Sequence, residues 1–266
     1  MRDRLIRIKA GRTHGRYGWV LPLITMPTLT PSVFSPESTV GEIVAAHPSL
    51  SRLFENLGID FCCGGKIPLA DACAKRNLDL STTLALLESA ASTLATTPNE
   101  VDAAAMSLSQ LADHIEQTHH AYTRTELARI LEMATKVSTK HGWRDSRLIE
   151  MGTVVNYLAN EMFDHMEKEE SVLFPLVRRL EAGTAHDADL QMLSGPIQQM
   201  EAEHQNAGEA IARLRELTDG FTPGEDSCNT HRALLSGLAE FEADLHRHVH
   251  KENNILFPRA LERASA

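Results

Sequence analysis

His165-Met-Glu-Lys-Glu-Glu-Ser-Val-Leu-Phe-Pro175 and, 83 residues further on, His248-Val-His-Lys-Glu-Asn-Asn-Ile-Leu-Phe-Pro258 are the two lines on which the fold of this sequence turns. They share His, Lys, Glu, Leu, Phe and Pro at six of eleven positions, an internal repeat. Upstream of the first, Leu148, Met151, Val155, Leu158 and Met162 lead into His165, Glu169, Val172 and Leu176 at alternating steps of three and four. That is the spacing of a helix face turned toward other helices. Upstream of the second, Leu234, Leu238, Phe241 and Leu245 lead into His248, Glu252 and Ile255 in the same rhythm. Of the 13 histidines only His165 and His248 have a glutamate four residues on, and in both cases the pair falls in the apolar seam.

Working outward, helical periodicity covers four long stretches, 107–140, 146–182, 188–218 and 229–261, with no strand alternation between them. Helices of about 30 residues joined by short connections pack as antiparallel neighbours, so the sequence predicts an all-α, up-and-down four-helix bundle. If the repeat unit is a helix pair, the other two helices should match as well. His204 lies 84 residues after His120 and sits in a seam with Ile197, Met200, Ala207, Ile211 and Leu214. The first helix has two registers. Leu108, Leu111 and Ile115 read forward put His119 in the seam, whereas Leu127, Ile130 and Ala134 read backward put His120 there. The repeat offset selects His120.

A single His-x-x-x-Glu on a helix is ordinarily a solvated ion pair. Two of them in apolar seams, with two further histidines, would bury charge at several kcal/mol per uncompensated group, roughly the whole stability of a domain. A metal ion removes that penalty; His/Glu pairs hydrogen-bonded without metal are the alternative. Four imidazoles and two carboxylates without thiolate suit iron, manganese or zinc and exclude a sulfur-rich structural zinc site. Residues i and i+4 lie about 6 Å apart along a helix, so a histidine can hold one ion while its glutamate reaches between two. The expected centre is therefore dinuclear, most naturally two non-haem iron ions, with His120, His165, His204 and His248 as terminal donors and Glu169 and Glu252 as bridges. Oxidase bundles use four carboxylates and two histidines. The inverted ratio here fits reversible binding of diatomics, redox sensing or release of iron.

Ahead of the bundle, Val40, Ile43 and Val44, then Leu50 to Leu57, then 69–74 and 81–94 read as short helices of a small module. Gly58 stands where a left-handed C-terminal cap belongs. Between these helices lies Phe61-Cys62-Cys63-Gly64-Gly65, where the glycines predict close backbone approach or an anion-binding turn. A disulfide between adjacent cysteines is strained and easily reduced, so Cys62 and Cys63 are candidates for a redox or iron-exchange role. Cys73 and Cys228 read as ordinary thiols. The expected organisation is an N-terminal extension over 1–36, unstructured and outside the fold, with Met26 a candidate start; a small helical domain over 37–97; a linker at 96–99; and the bundle over 105–263.

The chain has 266 residues with 26 Lys+Arg against 36 Asp+Glu, a net charge of -10. That balance argues against nucleic acid and anionic lipid as partners. The longest apolar run, 19–26, is broken by Pro22 and is far short of the ~20 residues of a membrane span. Four cysteines are too few for a disulfide scaffold and point to a reducing compartment.

Three segments, 57–65 with Cys62-Cys63-Gly64-Gly65, 165–175, and 201–204 with 248–258, together resemble the RIC (repair of iron centres) family of the YtfE/ScdA/DnrN type, whose bundle is hemerythrin-like. The resemblance covers 38–261. It implies a cytoplasmic, homodimeric di-iron protein that restores iron-sulfur clusters damaged by nitrosative or oxidative stress, supplying iron to damaged iron-sulfur proteins or a cluster-assembly scaffold. It aligns His141 with a further family histidine near the centre, whereas spacing alone makes His141 a loop residue beside Gly142. Reduction of nitric oxide to N2O at the irons, an enzyme's role, and oxygen or nitric oxide sensing are the competing functions.

Overall fold

The computed structural model describes residues 34–94 and 101–266; the extension up to residue 33 and the expected linker at 96–99 lie outside the described residues. Among the described residues the fold is all-helical, with one isolated bridge between Thr39 and Pro68.

The small module comprises α1 (Val40–Ala46), α2 (Ser51–Asn56), α3 (Leu69–Lys75) and α4 (Leu80–Leu94). Helix α1 starts on a capping box between Thr39 and Glu42 and stops at His47, because Pro48 disfavours helix in the residue before it. Gly58 adopts φ 66°, the left-handed value its position predicted. The chain is already packed at Phe34, three residues before the expected boundary: that ring is buried and meets His47 edge-on at 5.2 Å.

The bundle has four long helical runs, each punctuated once. The first is α5 (Leu108–Ile115) and α6 (Ala121–His141) joined by a π turn at Glu116–His120; the second is α7 (Arg147–Lys168) and α8 (Phe174–Glu181) joined by a π turn at Glu169–Leu173. The third is α9 (Asp187–Met192) and α10 (Ser194–Leu217), and the fourth α11 (Asn229–Lys251) and α12 (Phe257–Ala264) joined by a π turn at Glu252–Leu256. Helix α7 packs between α6 and α10, and α6 also packs on α11.

A π turn inserts one residue into the helical register. That corrects the expected seam: Val172 is 55% exposed and Leu173 takes its place in the core. It also resolves the two registers of the first helix, which were both right, one on each side of the inserted residue. Two of the π turns run straight into Phe-Pro, and proline can neither donate the next helical bond nor tolerate the carbonyl four residues back. Widening the turn is the accommodation.

One apolar cluster runs from Phe34, Val40, Phe54, Phe61 and Leu87 of the module into Leu127, Val155, Leu214 and Phe241 of the bundle. A module of this size is marginal by itself, and here it shares the bundle's core.

Candidate metal centre

The seams place His120, His165, Glu169, His204, His248 and Glu252 together, each at most 1% exposed. They form two groups of potential ligands, His120/Glu169/His248/Glu252 and His165/Glu169/His204/Glu252, whose donor atoms within each group lie within 4.8 Å of one another. Both carboxylates belong to both groups. Glu169 Oε2 stands 3.3 Å from the Nε2 atoms of both His120 and His165. Glu252 turns Oε1 to His248 (3.0 Å) and Oε2 to His204 (3.1 Å). The histidines pair across the repeat, His120 Nε2 with His248 Nε2 at 3.2 Å and His204 Nε2 with His165 Nε2 at 3.0 Å. Each group therefore draws one imidazole from each helical hairpin, a pairing the sequence could not show.

The far ring nitrogens fix which atoms face inward. His120 Nδ1 donates to Glu170 (2.7 Å), itself gripped by Arg124, and His165 Nδ1 donates to Glu203 (2.9 Å), which also accepts from Lys168 and Gln199. His204 Nδ1 meets Asn253 Oδ1 at 2.9 Å. A carboxylate only accepts, so these Nδ1 atoms carry hydrogen and a neutral ring offers its Nε2 lone pair to the centre. Phe174 stacks on His120 and Phe257 on His204, each repeat's Phe covering its own hairpin's lone histidine.

These residues fit a bound cation. Both oxygens of Glu169 and Oε2 of Glu252 are buried with no hydrogen-bond donor, a penalty of about 1–3 kcal/mol each if nothing positive meets them. Burial pushes the His165 imidazole down, yet the carboxylates of Glu169, Glu203 and Glu252 override it and lift it to about 10. Burial likewise favours a neutral Glu252, and His248 and His204 hold it well below the usual carboxylate range instead. The pocket demands positive charge. Without metal it takes that charge from protons shared across the 3.0 and 3.2 Å imidazole pairs; a cation facing the Nε2 lone pairs of neutral rings would supply it instead.

His119 is buried too but is already engaged: its Nδ1 donates to Asp244 at 3.0 Å and its Nε2 accepts from Lys251 at 2.6 Å. His141 is not part of the cluster. It ends α6, roughly 30 Å along the axis from His120 at ~1.5 Å per residue, which corrects its expected place near the centre.

Cys62 and Cys63 are free thiols on the module's loop. Asp60 organises it, accepting from the amides of Cys62 and Gly64, both 2.9 Å, and from Cys62 Sγ at 3.2 Å. The anion the glycine turn holds is thus its own neighbour's carboxylate. Contact with Cys63, with burial and Asp60 adding to it, raises the Cys62 thiol well above its ordinary value. Cys63 is half-buried and lines, with Arg76, Arg215 and His246, a cleft of about 620 Å³ between module and bundle. Cys73 is buried and Cys228 half-buried beside α11. No helix among the described residues is long and apolar enough to cross a membrane.

Two family profiles match the chain. One, ScdA_N, described as a domain of unknown function, covers residues 36–91, and the hemerythrin HHE cation-binding domain covers residues 111–260. Curated relatives named iron-sulfur cluster repair protein YtfE include that of Musicola paradisiaca, 38% identical over 226 residues (85% of this chain, 96% of that protein). The relative from Yersinia pseudotuberculosis is 38% identical over 224 residues and that from Edwardsiella ictaluri 39% over 223, each spanning 84% of this chain and 96% of its own length.

Proposed function

This chain belongs to the family of iron-sulfur cluster repair proteins with a hemerythrin-type bundle, and on that premise we propose that it repairs clusters damaged by nitrosative or oxidative stress by donating iron from a two-iron centre. His120 and His248 would hold one iron and His165 and His204 the other, with Glu169 and Glu252 between them. The observation that carries this reading is that Glu169, which no hydrogen-bond donor meets, and Glu252, which has one oxygen unmet, are common to both ligand groups. Iron held there would supply the exchangeable metal that a damaged cluster lacks.

The protein's own part is to orient and to shelter. Glu170, Glu203 and Asn253 fix hydrogen on the outer nitrogens of three imidazoles, so that lone pairs face inward. Phe174 and Phe257 stack on His120 and His204 and cover those rings. The Cys62–Cys63 loop would meet the client, a damaged iron-sulfur protein or a cluster-assembly scaffold, with Cys63 open to the cleft. Two adjacent free thiols support a reducing, cytoplasmic setting, and we propose a homodimer.

The test loads the purified protein with ferrous iron, counts metal per chain, and asks whether a nitrosylated iron-sulfur enzyme regains activity. About two irons per chain with reactivation is the expected result. Catalytic N2O formation without reactivation would overturn the repair reading in favour of nitric oxide reduction. Cys62→Ser is expected to keep its iron and lose repair; iron loss in that variant would instead place the module among the ligands.

A further inference from the structure

The π turn that carries Glu252 has a second face. Glu252 and Asn253 look into the metal centre, where Asn253 meets His204, whereas the next residue, Asn254, reaches the cysteine loop. Its Nδ2 donates to the carbonyls of Phe61 (3.2 Å) and Cys62 (3.0 Å), and His250 Nδ1, one helical turn earlier, lies 3.2 Å from that same Phe61 oxygen. The amide sits in a slot cut for it: a Cβ on either Gly41 or Gly65 would stand 2.5 Å from Asn254 Oδ1. Those glycines are themselves joined, Gly41 N donating to Gly65 O at 2.8 Å. Phe61 closes the contact, its buried ring meeting His250 and His246 edge-on at 5.6 and 6.0 Å. Two consecutive main-chain carbonyls next to the thiols are thus fixed by the turn whose neighbouring residues line the centre.

We infer that Asn254 is a positioning residue that ties the Cys62–Cys63 loop to occupancy of the metal centre, so that filling the centre and restraining the thiols are one equilibrium. Ordering the π turn around a cation holds the amide in its slot. Emptying the centre loosens Glu252 and Asn253, and with them the two bonds that keep the loop closed over Cys62. The thiols then become reactive when the iron has left. Coupling of this kind is reciprocal in binding free energy: what iron binding contributes to closing the loop, a loop held open must take from iron affinity.

The inference rests on the iron reading of the site, and the experiment separates the two. Protein with and without ferrous iron, prepared anaerobically, is alkylated with iodoacetamide, and labelling of Cys63 is followed by mass spectrometry alongside metal content. Wild type is expected to take up iron and label at least about fivefold more slowly when loaded. Asn254→Asp keeps the shape but lacks the donors, and Gly41→Ala crowds the amide at its Oδ1. In both, the loaded and unloaded rates should converge to within about twofold. A purely structural role would speed labelling equally in both states and leave the ratio unchanged. Should the variants not fold, hydrogen exchange at the Cys62 and Gly64 amides of wild type must still slow on iron loading. A chain that takes up no iron sinks the metal reading. One that takes up iron with no change in Cys63 labelling or amide exchange, or folded variants that keep the wild-type ratio, overturns the coupling alone.

Discussion

Replacing Glu252 with leucine tests the shared-carboxylate geometry most directly. Glu252 faces His248 with one oxygen and His204 with the other, and it belongs to both ligand groups. One substitution should therefore empty both positions. A ligand present at a hundred times its Kd stabilises the folded chain by about 2.7 kcal/mol per site. Two sites give about 5 kcal/mol, and at ~2–4 °C per kcal/mol for a chain of this size iron should raise the melting temperature by roughly 10–20 °C. In Glu252→Leu that rise should vanish and metal analysis should fall from about two irons per chain toward none. His165 belongs to one group only, so His165→Ala should retain about half of the rise. The metal-free variant should itself melt below metal-free wild type, because taking one partner out of a buried charged cluster leaves His204 and His248 without their carboxylate; the quantity to compare is therefore the iron-induced rise and not the absolute melting temperature. Far-ultraviolet circular dichroism then separates loss of metal from loss of fold. Glu252→Leu protein that is fully helical, holds two irons and keeps the wild-type rise would refute the reasoning.

The outer carboxylates should matter less but measurably: Glu203→Gln leaves His165 Nδ1 without a charged acceptor, and iron affinity measured by chelator competition should drop about 10–100-fold. His119→Ala should keep both irons, since that ring is spent on Asp244 and Lys251, and loss of metal there would reopen the choice between His119 and His120. Glu181 accepts from the amides of Leu108 and Ser109 at the start of α5. Burial pushes its carboxyl up, but those amides and the serine hydroxyls more than offset this, and its value lies below the ordinary one. Its stabilisation is therefore complete above the unfolded value near ~4.3 and fades as pH falls through the lower folded value. Urea titration should find Glu181→Gln less stable than wild type by roughly 0.3–1 kcal/mol at pH 7, with the gap closing near pH 3.

Helix limits and the polar residues gathered at the centre were legible because burial writes a period into the sequence, and a polar residue that keeps the period must face the core. His165 and Glu169 announced themselves in this way. The π turns did not, since in Ser171-Val172-Leu173 either apolar residue continues a seam of threes and fours. Two signals were nevertheless present: a proline directly after each Leu-Phe, where a helix cannot close its next bond, and the one-residue slip between the His119 and His120 registers. Pairing of histidines across the hairpins needs three dimensions. Asn254 left no trace, because its partners are main-chain carbonyls, which carry no residue identity; only the Gly64-Gly65 pair hinted at a close approach.

The donor set also bears on why such a centre would give iron up. Two ferrous ions would bring four positive charges, and the inner shell would return only the two of Glu169 and Glu252, the imidazoles being neutral when they bind. The nearest further carboxylates, Glu170 and Glu203, are drawn outward by Arg124 and Lys168 as much as inward by the histidines. Net positive charge would therefore stay inside an apolar bundle, where the effective dielectric is low and charge is expensive to keep. A shell of four carboxylates would cancel it and hold the metal firmly. A histidine-rich shell holds by coordination while leaving electrostatics partly against it, which favours release once a better anionic acceptor, such as a cluster short of iron, is within reach.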